Sequence, residues 1–304
     1  LSPGKAGQTT LHLLGLQLQY PLQAGAITRV TAAQRLYQFP MGVLATSLAV
    51  AVFPLLSRYA TRNDLPNLRA VLNRALRLAA MEGLAAGVAL VVLAEPVTRF
   101  IYRDLVLFLH PNRTPKFTLA AVAGSAFVLQ MYAIGLIAYC TQSIFVRAFY
   151  ARKDNFTPLK ISLALVAVGP VLVATLVWVP ALRAGAFGIA LTVTATANVV
   201  ILALALRRRM GRFGGRQLAV SIARSALASA AMGGVLYGLR WQMADVAKLP
   251  NWLLVLVAVP AGGAAFLAAA WALRCPELGE LFGRRRASAE TPEGYNGPGE
   301  TPAP

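Results

Sequence analysis

The chain has 304 residues, of which 57% are hydrophobic and only 13% charged, with a mean hydropathy of +0.60. Soluble domains carry about a quarter charged residues, so this balance is that of a polytopic membrane protein. The formal charge of +18 does not signal nucleic acid, because the basic residues cluster between apolar runs rather than along one continuous face.

A mixed segment leads to the first apolar run, AAQRLYQFPMGVLATSLAVAVFPLL, from Ala32 to Leu56. Beyond Arg35 it carries no charge, and at 1.5 Å per residue Leu36–Leu56 spans roughly 30 Å, the thickness of a bilayer's hydrocarbon. Further runs follow, so that seven spans are predicted at 35–57, 78–102, 118–146, 159–180, 185–206, 218–239 and 252–273. Strand alternation never persists, and the class is all-α. Pro40 and Pro54 interrupt the first span and predict a bend or loosening there. In NFTPLK, Thr157 is predicted to cap the fourth span, with Pro158 in its first turn.

The connections set an orientation. Most of the 29 basic residues follow the odd-numbered spans. They are Arg58, Arg62, Arg69, Arg74 and Arg77; Arg147, Arg152, Lys153 and Lys160; Arg207, Arg208, Arg209, Arg212, Arg216 and Arg224; and Arg274, Arg284, Arg285 and Arg286. Positive loops stay cytoplasmic, which places the amino terminus outside and the carboxyl terminus inside. The start at Leu1 and the absence of a signal-peptide pattern lead us to expect a fragment of a longer protein. The Pro/Gly-rich tail, within 283–304, is expected to be disordered.

Plotted at 100° per residue, Arg35, Gln38, Gly42, Thr46 and Ala49 fall within about 80° of one another. Such a small, polar stripe suits close packing on a neighbouring helix with Arg35 snorkelling. It equally suits a helix lining a hydrated cavity, where a guanidinium meets a phosphorylated ligand. Glu82 is the acid well inside a span, about one turn beyond Arg77 and two beyond Arg74; local pairing or a role in ion coupling would account for it. Glu95 is expected at the interface, and Glu277 and Asp154 in loops. The mixed-charge stretch FYARKDNFTPLK is either a positive-inside connector or a cytoplasmic gate built on Arg152, Asp154 and Lys160. Cys140 and Cys275 are expected to be inert, and His12 and His110 lie in predicted loops without ligating neighbours. No carboxylate pair, activated nucleophile or metal cluster can be assembled within the spans, so neither an enzyme nor a metal or cofactor site is expected.

Three stretches carry a resemblance to a known family. RLYQFPMGVLATSLAVAVFPLLSRYA resembles the eighth transmembrane helix of the MurJ/MviN lipid II flippases. FYARKDNFTPLKI is similar to their loop between helices ten and eleven, and GAFGIALTVTATANVVILALALRRRMG to helix twelve and its basic end. The order and spacing hold over roughly residues 25 to 285. The resemblance implies helices eight to fourteen of a fourteen-helix transporter of the multidrug/oligosaccharidyl-lipid/polysaccharide superfamily, that is, one lobe of a two-lobed, MATE-like protein of the inner membrane. Residues 1–34 would then be an outer segment after a preceding helix, 35–282 the helical lobe and 283–304 a cytoplasmic tail.

The resemblance also implies alternating access around a central cavity, with lipid II, membrane lipids and an amino-terminal lobe as partners. Arg35 matches a family arginine thought to hold the anionic headgroup, with Gln38 and Thr46 beside it on the same stripe. The groove of the last two helices is associated with the lipid tail. Other superfamily exporters of polyprenyl-linked saccharides or drugs, or a non-transporting scaffold, would share much of this pattern. There are departures as well. Gln34 stands where an acid usually precedes the arginine, Ser143 where a lysine is common, and residues near Gly169 and Ala174 where some members carry asparagines beside a proposed sodium site. No ion site is therefore carried over.

Overall fold

Among the described residues of the computed structural model, six helices are long and apolar enough to cross a membrane, and a bent pair, taken as one span, makes a seventh. The structure describes residues 10–13, 16–19, 22, 24–110, 117–211, 214–246 and 250–281; the expected tail at 283–304 lies outside them. Two short strands, β1 (Thr10–Leu13) and β2 (Leu16–Gln19), pair antiparallel ahead of the helices.

The first span is α1 (Ala26–Pro40), a π-helical segment (Met41–Ala45) and α2 (Thr46–Thr61). It begins at Ala26 rather than 35, because the Ala-rich stretch before Arg35 continues the helix past Arg29. Arg35 therefore sits well inside the helix and does not open it. The π segment is the loosening expected at Pro40. Proline offers no N–H to the preceding turn and its ring crowds the carbonyl four residues back, so the ladder opens there. The Ser143 hydroxyl, from a neighbouring helix, reaches the Ala45 carbonyl at 3.1 Å, which supports a backbone group of the opened turn.

The second span is α3 (Leu65–Arg99), continued by a π segment (Phe100–Asp104) and α4 (Leu105–Leu109). Asp64 caps α3 by accepting from the Asn67 amide at 3.2 Å. The third span is broken into α5 (Leu119–Ile134) and α6 (Leu136–Ala151), bent by 42° at Gly135. The break has a packing cause. A Cβ on Gly135 would lie 2.6 Å from Thr192 Oγ1 and 3.2 Å from its Cα, so only glycine lets that helix come so close. Thr192 donates to the Met131 carbonyl at 3.2 Å, one of the carbonyls ahead of the break. The remaining spans are α7 (Phe156–Leu176), α8 (Ala186–Met210), α9 (Gly215–Arg240) and α10 (Asn251–Ala272), and the short α11 (Pro276–Leu281) follows.

α3 is the spine. One face joins a core shared with α1, α2, α5, α6 and α8, around Leu72, Leu76, Tyr132, Leu136 and Leu202. Its Met81 and Leu93 join a second cluster with α9, α10 and the start of α11. Close approach of α3 and α6 depends on Gly83, where a Cβ would lie 2.6 Å from the Ile137 Cα; small residues serve helix packing in lipid in this way. α7 lies at the margin, with Pro158 its one buried residue. Its exposed Leu163, Val166 and Val171 are at home against acyl chains, where an apolar outer surface costs nothing.

Candidate functional site

The first span presents Arg35, Gln38, Gly42 and Thr46 on exposed surface, whereas Ala49 is buried. The straight helical wheel is corrected here. A π-turn inserts one residue and sets everything beyond it back by about 100°, which rotates Ala49 from the polar stripe into the core. Arg35 borders a cavity of 270 Å³ with Thr28, Thr31, Tyr102 and Phe117. Tyr102 stacks on Phe117 and donates to the Ala32 carbonyl at 3.1 Å, so one wall of that cavity is pinned to α1. Gln38 and Thr46 lie farther along the span, on either side of the π segment.

Gln34, next to Arg35, faces another way. Its amide donates to the Tyr132 hydroxyl at 3.1 Å, and Tyr37 stacks on Tyr132 at 5.4 Å and meets Tyr139 edge-on at 5.5 Å. This aromatic knot holds α1 to α5 and α6 and fixes the azimuth of Arg35. Beside it a groove of 410 Å³ opens between α7 and α8, with Gln34, Gln142, Ser162, Thr194 and Asn198 among its walls. The Asn198 amide donates to Ser162 at 3.3 Å, while its Oδ1 is buried without a partner. Sequence reasoning missed this polar groove, because its residues are scattered singly over several apolar runs. Among the described residues, no three of His, Cys, Asp and Glu come together as a metal site.

Among the described residues, no hydrogen bond or ion pair joins Arg152, Asp154 and Lys160 to one another. Asp154 accepts from the Thr157 amide at 3.1 Å and from its hydroxyl at 2.7 Å. Asp154, one residue ahead of the N-cap Asn155, thus satisfies a first-turn amide of α7, and Thr157 is the donor and not the cap. Arg209 at the end of α8 pairs with Asp154 and also donates to Thr157 Oγ1 at 3.2 Å. Partial desolvation works against ionisation of Asp154. The Thr157 hydrogen bonds and the Arg209 guanidinium outweigh it and hold the carboxyl below its ordinary value. Arg152 is half-buried with Nη1 unpartnered, and Lys160 is exposed on α7.

Glu82 lies within α3 with its Oε2 buried and without a hydrogen-bond partner. Glu277 departs from the loop position expected of it. Arg77 Nε lies 3.4 Å from its Oε1, close enough for an ion pair though not aligned as a hydrogen bond. Glu277 is fully buried and accepts from the Ser221 hydroxyl at 2.7 Å. One carboxylate from α11 therefore ties α3 to α9. At the opposite end, Arg240 of α9 pairs with Glu95 of α3 at 2.6 Å, a partner for the acid expected at the interface.

Several comparisons bear on this arrangement. The chain is 30% identical over 233 residues to a probable lipid II flippase MurJ of Rhizobium meliloti (strain 1021), which covers 76% of this chain and 41% of that protein. It is 32% identical over 139 residues to the probable lipid II flippase MurJ of Rickettsia prowazekii (strain Madrid E), covering 46% of this chain and 25% of the other. The chain thus spans less than half the length of these curated relatives. A solved structure, lipid II flippase MurJ in an inward closed conformation, superposes with a TM-score of 0.62 at 21% identity, covering 81% of this chain and 46% of that one; this likeness establishes the fold. The family model described as lipid II flippase MurJ matches residues 10–257, and the chain belongs to that family.

Proposed function

We propose that this chain is one lobe of a lipid II flippase of the cytoplasmic membrane, which carries undecaprenyl-linked peptidoglycan precursor outward by alternating access. The observation that supports it best is an arginine, Arg35, held exposed by an aromatic knot at the head of an uncharged stretch, 36–57, in a chain of this family. A guanidinium offers paired donors in a plane, which match a pyrophosphate better than a lysine's point charge does. Gln38 and Thr46 add exposed polar groups farther along the same span, and a second lobe completes the cavity. The arginine-rich ends of the spans face the cytoplasm, consistent with positive loops remaining there. The exposed apolar faces of α9 and α10, with Leu227, Val235 and Leu256, suit the lipid tail.

Rescue of flippase-depleted cells tests this reading. Residues 1–304 expressed with an amino-terminal lobe of a relative should rescue, and residues 1–304 alone should not, since one lobe lines half a cavity. Within the paired system, Arg35→Ala should abolish rescue and Arg35→Lys should restore it poorly, at equal membrane abundance. A snorkelling arginine would accept lysine freely. Full rescue by Arg35→Ala at normal abundance would remove Arg35 from the site.

A further inference from the structure

A second basic cavity lies far from Arg35, at the end of the lobe where α3, α9 and α11 meet. It has a volume of 640 Å³ and is walled by Arg77, Arg216, Gln217, Ser221 and Arg224, with Gly214 at its rim. Residues 216, 217, 220, 221 and 224 recur at one-turn spacing, so a single face of the first three turns of α9 lines it. Glu277 already balances Arg77. Arg216 and Arg224 are exposed, and among the described residues no acid pairs with either; they are the uncompensated charge of the cavity. Arg224 makes a single long contact, 3.5 Å to the Arg274 carbonyl. The helix start adds to this. Gly214 precedes α9 in a left-handed conformation and, among the described residues, no side chain caps the first turn, which leaves backbone N–H groups and the positive end of a 26-residue helix at the cavity.

We propose that this cavity binds a phosphate-bearing anion, a phosphodiester headgroup of the surrounding leaflet or a soluble phosphate, outside the transport cavity. Two guanidiniums, the N–H groups of the Gln217 amide and uncapped backbone N–H groups supply donors suited to phosphate oxygens. Basic pockets between transmembrane helices recognise anionic headgroups in this way. Bound there, the anion would bridge α9 to the Arg77–Glu277 tie.

The test is native mass spectrometry of the full chain from nanodiscs containing phosphatidylcholine and phosphatidylglycerol, with and without added inorganic phosphate. The chain should retain phosphatidylglycerol selectively, and Arg216→Gln with Arg224→Gln should lower that selectivity about tenfold. Arg208→Gln, an exposed arginine at the same end, should leave it unchanged. Retention that resists millimolar inorganic phosphate assigns the site to a headgroup, and displacement by it assigns a soluble phosphate; either sustains the proposal. Unchanged selectivity in the double variant, or equal loss in Arg208→Gln, overturns it. Should the double variant not extract as a monodisperse protein, Arg216→Gln alone carries the same reading.

Discussion

Two acid–arginine ties sit near the arginine-rich end of the lobe, and water separates their energetics. Asp154 and Arg209 meet at the surface, where Arg209 keeps 49% of its side-chain exposure and Asp154 17%. Glu277 keeps none and its partner Arg77 only 18%. At the surface, Coulomb attraction is weakened by water and opposed by side-chain entropy. In the interior both ions have already lost hydration, so the pair adds little net stability when intact but is costly when broken. The surface tie therefore secures a helix start, and the buried one holds three helices in register.

The largest effect should come from breaking the buried tie. Glu277→Ala leaves Arg77 partly buried without that partner and is expected to cost about 3–5 kcal/mol, read as a lowered midpoint of thermal unfolding in detergent. Glu277→Gln should cost less, because the amide oxygen still accepts from Ser221. Ser221→Ala comes next, at about 1–2 kcal/mol, since it removes a donor to Oε1 while the ion pair survives; a loss as large as that of Glu277→Ala would mean that the hydroxyl, not the charge, dominates.

Asp154→Asn should have the smallest effect, below about 1 kcal/mol, because asparagine also caps helices and the ion pair is exposed. Its signature is pH. The folded Asp154 carboxyl titrates below its ordinary value, so its stabilisation is complete above the unfolded pKa and fades as pH falls through the depressed folded one. Wild type and Asp154→Asn should therefore differ most near neutral pH and converge under strong acid. A difference that grows on acidification would contradict the sign. High salt should shrink the Asp154 effect and leave the Glu277 effect in place.

The same contrast explains what could be read before the structure. An uncharged run long enough to cross hydrocarbon is a local property, and so the spans were legible, as was the disturbance at Pro40 that became a π segment. The break at Gly135 was not legible. Nothing in the run 118–146 distinguishes a glycine inside a straight helix from one that Thr192 must approach. Thr157 was legible at the start of α7, but not that Asp154, expected in a loop, accepts from it, since either side chain suits a helix start. Arg209 read as a topological anchor because its partner lies 55 residues away.

Composition and periodicity alone determined that this chain is a bundle of apolar helices with basic connections and a small polar stripe ending in Arg35. They are carried by each residue's own transfer free energy and by the fixed 3.6-residue turn, which need no distant partner. Tertiary structure decided that Ala49 turns inward, that Gln34 serves the tyrosine knot while Arg35 is exposed, and that Glu277 is a buried tie instead of a loop acid. Those outcomes depend on contacts between residues far apart in the chain, and on an opened helical turn that resets the azimuth of everything beyond it.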